Sequence, residues 1–523
     1  MNRDISVDDP RSRVGPSRKL EELPGPNGIP LLGNALQMKP RECHRIWGEW
    51  AEQYGKLFVF KLGTTKVLCV ADAELIQRVL RDRPDRLRRW RKMEEIAVEI
   101  EANGLFTAEG TRWRRERKFV MHALNAAHIR EFVPRLEQVI GRLRRKWWRA
   151  ALAGASVDVH SDLMRMTVDV TTGLAFGRDL NTIDEQVDPI QVHLDKLFPA
   201  IARRQTALFP YWRYIRLPAD RELDAAIAEV SRVLHELIGD ARARLSSAPG
   251  ARPTNLVEAL VAAQLQDEGS FTDGEIANNL MTVLLAGEDT TANSLSYLVH
   301  FLMEHPLVQA RVQEEVDSVM GVAERSWQDP SLADRLRYIE AVANETMRCK
   351  PVGAHLFLEP NEDIHVGDVF VPRGTPILVM NGHVGSYEQH FSKAAEFLPE
   401  RWLEAAESQS CPVHDMKAFL PFGSGPRFCP GRQLAMLQIK MFVAMLCRDF
   451  QVVHPADAEP LEDIYNFTVG PVNVRALLVP RRSIRPGIDI ELRAGDRRKV
   501  SLPLAFPERR RGERRGQAAT AVE

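Results

Sequence analysis

The residues best suited to chemistry stand close together in the stretch Phe422-Gly-Ser-Gly-Pro-Arg-Phe-Cys429-Pro-Gly431. Gly423, Gly425 and Gly431 permit backbone angles and close approaches closed to other residues, and Pro426 and Pro430 stiffen the loop. An apolar-periodic segment, Leu434–Phe450, follows at once. Cys429 therefore precedes a helix N-terminus, where free N–H groups and the helix dipole favour a thiolate. For a lone cysteine the plainer reading is a small buried hydrophobe in a turn. A rigid loop presenting one thiolate instead suits an axial ligand to a haem iron. Arg427, two residues earlier, is placed to offer a charge-assisted hydrogen bond to a haem propionate.

Three further patterns lie upstream. Ser270–His305 reads as one long helix, opened by the capping box Thr272-Asp-Gly-Glu275 and about 50 Å long at about 1.5 Å per residue. Ile276, Leu280, Leu284, Gly287, Leu295, Leu298 and Leu302 give it an apolar stripe. Its centre, Ala286-Gly-Glu-Asp-Thr-Thr291, holds a glycine worth about 1 kcal/mol against helix and three more poor helix formers, which predicts a functional break. Glu345-Thr-Met-Arg348 lies in the helical segment Arg337–Arg348, with both charges on one face. Taken alone such a pair fits an exposed surface equally well; Phe397-Leu-Pro-Glu-Arg401 follows it. Trp113-Arg-Arg-Glu-Arg117 puts an indole and a guanidinium on one helix face, amid a basic patch of Arg112, Arg114, Arg115 and Lys118. An exposed basic helix is the alternative there.

The F-x-x-G-x-R-x-C-x-G loop resembles the haem-binding loop of the cytochrome P450 superfamily, and the chain is similar to its soluble bacterial type over residues 23–480, with every motif in order. The resemblance implies that Cys429 is the axial thiolate and metal ligand, that Arg427, Trp113 and Arg117 contact haem propionates, and that Phe422 and Gly423 belong to the haem-binding loop. It implies that Ala286 and Gly287 leave room above the haem for O₂ and substrate, and that Asp289 and Thr290 relay the two protons that cleave O–O. Glu345, Arg348 and Arg401 would form a buried ionic network under the cysteine loop. The implied cofactor is haem b. Electrons would come from NAD(P)H through separate redox proteins, because no flavin or iron–sulfur domain is fused to the chain. A ferredoxin or flavodoxin-type donor would dock on the basic face Arg112–Lys118. The family often carries one more propionate-binding arginine after E-x-x-R; here that position reads as Leu358. The implied activity is a haem-thiolate monooxygenase that hydroxylates or epoxidises an apolar small molecule. Alternatives are a haem-thiolate peroxygenase or isomerase, and a non-catalytic haem sensor.

The elements that must position these residues follow from pattern. The chain has 523 residues, 44% hydrophobic and 27% charged, which excludes a wholly disordered chain or a collagen-like repeat. Length alone allows about three domains, yet no repeat or composition break divides the middle. A net charge of −1 argues against a general nucleic-acid binder. Six cysteines without a C-x-x-C pair suggest a reducing compartment. The N-terminus lacks an apolar leader, and no uncharged apolar run reaches the roughly 20 residues of a transmembrane anchor, so a cytoplasmic protein is expected. Residues 1–22 read as disordered. Residues 41–54 read as helix, Leu57–Val70 as a hairpin around Gly63, residues 72–350 as mostly helical, Val366–Val379 as short strands, Gln433–Phe450 as helix and Phe467–Val479 as strands. Residues 481–523, with twelve Lys/Arg against six Asp/Glu, read as a basic C-terminal extension, either a solvated tail or a surface for an acidic partner or membrane. By resemblance, the pocket segments include Ile96, Ile100, Phe106, Leu197, Phe198 and Phe467, an apolar set. His355 is either a polar contact to substrate or a histidine that is exposed or in the layer behind. The expected fold is mainly α with a minor β portion, a single large domain whose haem is buried between the long central helix and the cysteine-loop helix.

Overall fold

Along the chain the strands run β1 (Leu57–Leu62), β2 (Thr65–Val70), β3 (Leu87–Arg89), β4 (Ser156–Asp158), β5 (Leu356–Pro360), β6 (Ile364–Val366), β7 (Val369–Val371), β8 (Ile377–Val379), β9 (Phe450–Val453), β10 (Glu462–Asn466), β11 (Thr468–Val472) and β12 (Arg475–Pro480). The helices that position the site are α1 (Cys43–Tyr54), α2 (Ala73–Arg81), α3 (Gly110–Ala123), α4 (Val159–Phe176), α5 (Asp273–Glu304), α6 (Arg337–Cys349) and α7 (Arg432–Asp449). This computed structural model describes residues 17–184, 189–194, 196–248, 251–266, 271–321, 327, 329, 331–403 and 414–481.

Helix dominates and strand is the minor part, as the periodicities predict. The β1–β2 hairpin closes at Leu62↔Thr65, with Gly63 at φ 60° making the turn. It continues into a five-stranded sheet of order β1-β2-β8-β5-β3. Here β2 and β8 run parallel, and β5 pairs antiparallel with β8 and with β3. A second sheet has the order β4-β12-β9, and β6–β7 and β10–β11 are separate hairpins. The largest apolar cluster joins Trp47 and Trp50 of α1, Phe58 and Phe60 of β1, and Ile276, Leu280 and Leu284 of α5. A smaller one packs Trp113 and Val120 of α3 against Leu434 of α7. That contact places the basic helix beside the cysteine loop.

Helix α5 begins as its sequence predicts. The Glu275 N–H donates to the Thr272 hydroxyl at 3.1 Å and the Thr272 N–H donates to the Glu275 carboxylate at 3.0 Å. The expected central break is absent, and α5 is unbroken from Asp273 to Glu304. Tertiary packing overrides propensity here. A Cβ on Gly287 would stand 2.8 Å from the Thr171 hydroxyl of α4, so the glycine is the contact that lets α4 and α5 lie close. The Thr290 hydroxyl turns back to the Ala286 carbonyl at 2.8 Å, which satisfies it within the helix. No helix among the described residues is long and apolar enough to cross a membrane.

The N-terminal expectation needs correction. Residues 1–16 lie outside the described residues, but residues 17–22 are ordered. Arg18 exchanges backbone hydrogen bonds with Asp368 and Phe370, both at 2.9 Å. Its guanidinium meets the Asp368 carboxylate at 2.6 Å, and Leu20 is buried. At the other end Arg481 is tied to Asp317 at 2.8 Å; residues 482–523 lie outside the described residues.

Candidate functional site

The cysteine loop is shaped by its backbone. The Cys429 N–H donates to the Phe422 carbonyl at 2.9 Å, and Gly423 (φ 72°) and Gly425 (φ 70°) occupy the left-handed region. A Cβ on Gly425 would come within 2.5 Å of the Leu80 carbonyl oxygen, so the loop is pressed onto the last turn of α2. Burial pushes the Cys429 thiol above its ordinary value, against the opposing pull of the Gly431 N–H, the Arg117 guanidinium and the Arg432 N–H at the start of α7. The sequence suggests that the helix start alone favours a thiolate. Desolvation outweighs it, and a bound cation would favour loss of the proton.

Around this thiol the structure gathers more arginine than acid. Arg427 donates through Nη2 to Glu109 and to the Ala108 carbonyl, both at 2.6 Å. Its guanidinium lies 4.7 Å from the Trp113 ring centroid, and its Nε and Nη1 have no partner. Arg117 lies 4.6 Å from the Phe428 ring centroid; its Nη2 has no partner. Two further buried arginines escaped the sequence reading. Arg83 leaves Nε and Nη2 unpartnered. Arg89 lies 3.6 Å from the Phe106 ring centroid and donates to the Phe106 carbonyl at 3.2 Å. Glu109 accepts from the Arg89 backbone N–H at 2.8 Å. Burial, then the repulsion of Arg427, lowers Arg83 to about 9. Burial lowers Arg427 to about 10, with Glu109 pulling the other way. Burial and both neighbours hold Arg89 well down. Three buried cations thus share one carboxylate. Arg89 is also the cross-strand partner of Leu358, so a guanidinium stands one strand away from the position where the resemblance expects an arginine.

On α5, Asp289 and Thr290 hold separate partners. Asp289 accepts from the Thr468 hydroxyl at the start of β11. Burial raises its carboxyl, against the opposing pull of Thr468, His160 and Asn293. His160 Nε2 lies 2.9 Å from the Asn293 carbonyl oxygen, and Gly470 leaves room for that amide, since a Cβ there would be 2.6 Å from it. Ala286 is exposed amid a largely buried helix. Thr468, Asn293 and His160 carry no motif. Their assembly depends on the β10–β11 hairpin meeting α5, which no local pattern announces.

Glu345 of α6 is a fully buried hub. It accepts from Arg348 at 2.9 and 2.8 Å, from Arg401 at 3.0 Å, from the Trp402 indole at 2.9 Å and from the Leu398 N–H at 2.9 Å. Arg348 also holds the carbonyls of Gly385, Ala394 and Glu396 at 2.8–3.0 Å.

The expected basic docking face is largely neutralised. Arg112 pairs with Glu116 at 2.7 Å, Arg115 with Glu275 and Arg114 with Asp85; Lys118 is exposed. Acids distant in sequence fold onto the helix and cancel the charge that the local run displays. Of the apolar set, Ile96, Ile100, Leu197 and Phe198 join the main core cluster, and Phe467 packs against it. Phe467 sits at φ 76° on the β10–β11 tip, with ring centroids 5.7 Å from Phe106 and 6.3 Å from Phe198. A bulky residue in the left-handed region is an outlier held by its surroundings. His355 stands edge-on to Trp47 at 5.0 Å; burial lowers it to about 3, and its Nδ1 has no partner.

A helix-rich domain with a glycine-shaped cysteine loop and a long central helix is matched by known sequences. The sequence model of the Cytochrome P450 family matches residues 23–477, and the chain belongs to that family. It is an oxidoreductase of the monooxygenase kind, and the family implies a haem cofactor. It is similar to "Probable cytochrome P450 4d21" of Drosophila melanogaster, 26% identical over 85% of this chain and 90% of that protein. It is similar to "25-hydroxyvitamin D-1 alpha hydroxylase, mitochondrial" of Homo sapiens, 26% identical over 89% and 92%. It is also similar to "Protein LUTEIN DEFICIENT 5, chloroplastic" of Arabidopsis thaliana, 26% identical over 82% and 73%. These are animal and plant proteins, so the soluble bacterial type expected from sequence finds no support among them. The residues present fit a haem. The loop presents the Cys429 thiol to an iron, and the unpartnered guanidinium atoms of Arg117 and Arg427 near it, with those of Arg83 near Arg427, suit two carboxylates.

Proposed function

We propose that the protein is a haem-thiolate monooxygenase that hydroxylates or epoxidises an apolar small molecule. The observation that carries this reading is the unbalanced cluster of buried arginines beside the Cys429 loop, which calls for a dianionic group at that place. When bound, haem b supplies the iron chemistry that activates O₂. Cys429 binds the iron. Arg427, Arg117, Trp113 and Arg83 hold the propionates, and Arg89 takes the role that an arginine at Leu358 would have. Phe422 and Gly423 shape the loop, and Ala286 and Gly287 keep a small-residue face on α5. Glu345, Arg348 and Arg401 hold the segment leading to the loop. Phe467, Phe106 and Phe198 exclude water and press an apolar substrate into place. Electrons come from NAD(P)H through a separate ferredoxin or flavodoxin-type protein, in a cytoplasmic setting. With its local arginines paired internally, the donor face rests on Lys118 and its surroundings rather than on Arg112–Arg115.

Proton supply falls to α5. Asp289 holds a proton near neutral pH more readily than an exposed carboxyl, because burial raises it. Thr290 offers a hydroxyl once its bond to Ala286 opens. Thr290→Ala is expected to raise hydrogen peroxide released per NADPH consumed by about tenfold or more, the scale of a lost proton-transfer group. A surrogate ferredoxin and its reductase would drive turnover. Unchanged coupling in this variant overturns the relay.

Arg89→Leu gives two effects of opposite sign. In the haem-free protein it removes a cation repelled by Arg83 and Arg427, so the unfolding midpoint holds or rises. In the loaded protein it removes a charged hydrogen bond worth about 1.5–3 kcal/mol, so haem passes to an excess of a scavenging protein roughly ten- to a hundredfold more readily. A loaded variant that keeps its haem like the wild type removes Arg89 from the site.

A further inference from the structure

Outside the haem region, the last turns of α5 and the chain leaving β9 bring three metal-binding groups together. His300 and Glu304 are one helical turn apart and share a face. His454 follows β9 directly. One ligand atom from each lies within 4.8 Å of the other two. His454 Nε2 is 2.7 Å from a Glu304 oxygen, and the His300 and His454 rings stand edge-on with centroids 5.9 Å apart. The three line a groove of about 300 Å³ with Met303, Glu459 and Asn473.

We propose that His300, Glu304 and His454 form a binding site for a borderline divalent transition ion, with Zn²⁺ as the natural occupant. Two imidazole nitrogens and one carboxylate match the zinc donor set and leave a position for water. Magnesium and calcium prefer all-oxygen sites, which this is not. The separations are within reach of side-chain rotation. The ion takes the place of the direct contact between His454 and Glu304, so the carboxylate and the ring turn from each other toward the metal. The groove's own cation does not oppose an ion, because Arg475 is engaged by Asp457 at 2.7 Å and by the Ser156 hydroxyl at 2.6 Å. Lys350, also felt by His300, is held by Asp463 at 2.5 Å.

The ion acts on the fold and not on the monooxygenase reaction. His300 lies about 15 Å along the helix axis from Thr290, so the ion touches no residue of the reaction. It ties the end of α5 to the segment beyond β9, and a ligand that binds only the folded chain stabilises it by mass action.

The test uses the haem-loaded full chain, stripped with a chelator and titrated with Zn²⁺ by calorimetry, with Co²⁺ as the optical probe. One equivalent is expected to bind and raise the unfolding midpoint. Loss of a mere second-sphere partner costs about tenfold or more in metal affinity, so His300→Gln and His454→Ala should each weaken binding at least that much. The absorption spectrum of the haem should be the same in both variants. Should His300→Gln fold poorly, His454→Ala sits at an exposed position and carries the same readout. Absence of zinc uptake by the wild type at millimolar metal overturns the site. So does undiminished affinity in the His300→Gln, His454→Ala double variant.

Discussion

Cys429→Ala is expected to abolish the strongly red-shifted Soret band expected of the reduced wild-type protein with carbon monoxide. Such a band reports an anionic sulfur donor on the iron, and alanine removes the sulfur of this loop. The loop itself survives the change. Its shape rests on the backbone bond from Cys429 to Phe422, the contact of Gly425 with Leu80 and the pairing of Arg427 with Glu109, none of which uses the sulfur. Far-ultraviolet circular dichroism should therefore match the wild type, while haem content falls. A variant that keeps both haem and the shifted band would falsify the assignment of Cys429, and with it the thiolate reading.

Glu345→Ala destabilises the domain by about 3–5 kcal/mol, the scale for removing one partner of a buried ion pair. The hub geometry places this loss at the upper end. Arg348 and Arg401 are both buried, and the substitution strands two guanidinium groups together with the Trp402 indole and the Leu398 N–H. Glu345→Gln keeps acceptor capacity at one oxygen and loses the charge, so it should fall between wild type and Ala. Denaturant unfolding of the loaded protein gives the order. Equal midpoints for all three would mean that the network does not bear on stability. Overexpressed Glu345→Ala is expected mainly in the insoluble fraction.

Local signals carried much of the fold. The hairpin around Gly63, the cap at Thr272 and Glu275 and the helix after Cys429 each depend on residues within a few positions, and each lies where the pattern puts it. What remained hidden depends on register and packing between distant segments. Arg89 looks like one charge in an exposed basic run until β3 pairs with β5 and sets it opposite Leu358. Glu109 has no visible role until Arg427 reaches it from the far end of the chain. Gly287 reads as a weak point in a helix, whereas Thr171 makes it a close contact between two. Arg112, Arg114 and Arg115 read as a free patch because their acids are supplied partly by other elements. In each case the residue type was plain and the partner was not.

The β10–β11 hairpin joins two matters that are usually thought of separately. Phe467 at its tip meets Phe106 and Phe198, and Thr468, the next residue, donates to Asp289. Their Cα atoms are about 3.8 Å apart, across one planar peptide. Gly470, two residues on, is seated against Asn293, and Phe467 is held by its aromatic neighbours, so this short run is fixed on both sides. A guest that leaned on the aromatic wall would therefore bear on the same peptide that carries the Asp289 donor. The apolar contact and the partner of the carboxyl are thus neighbours in the chain.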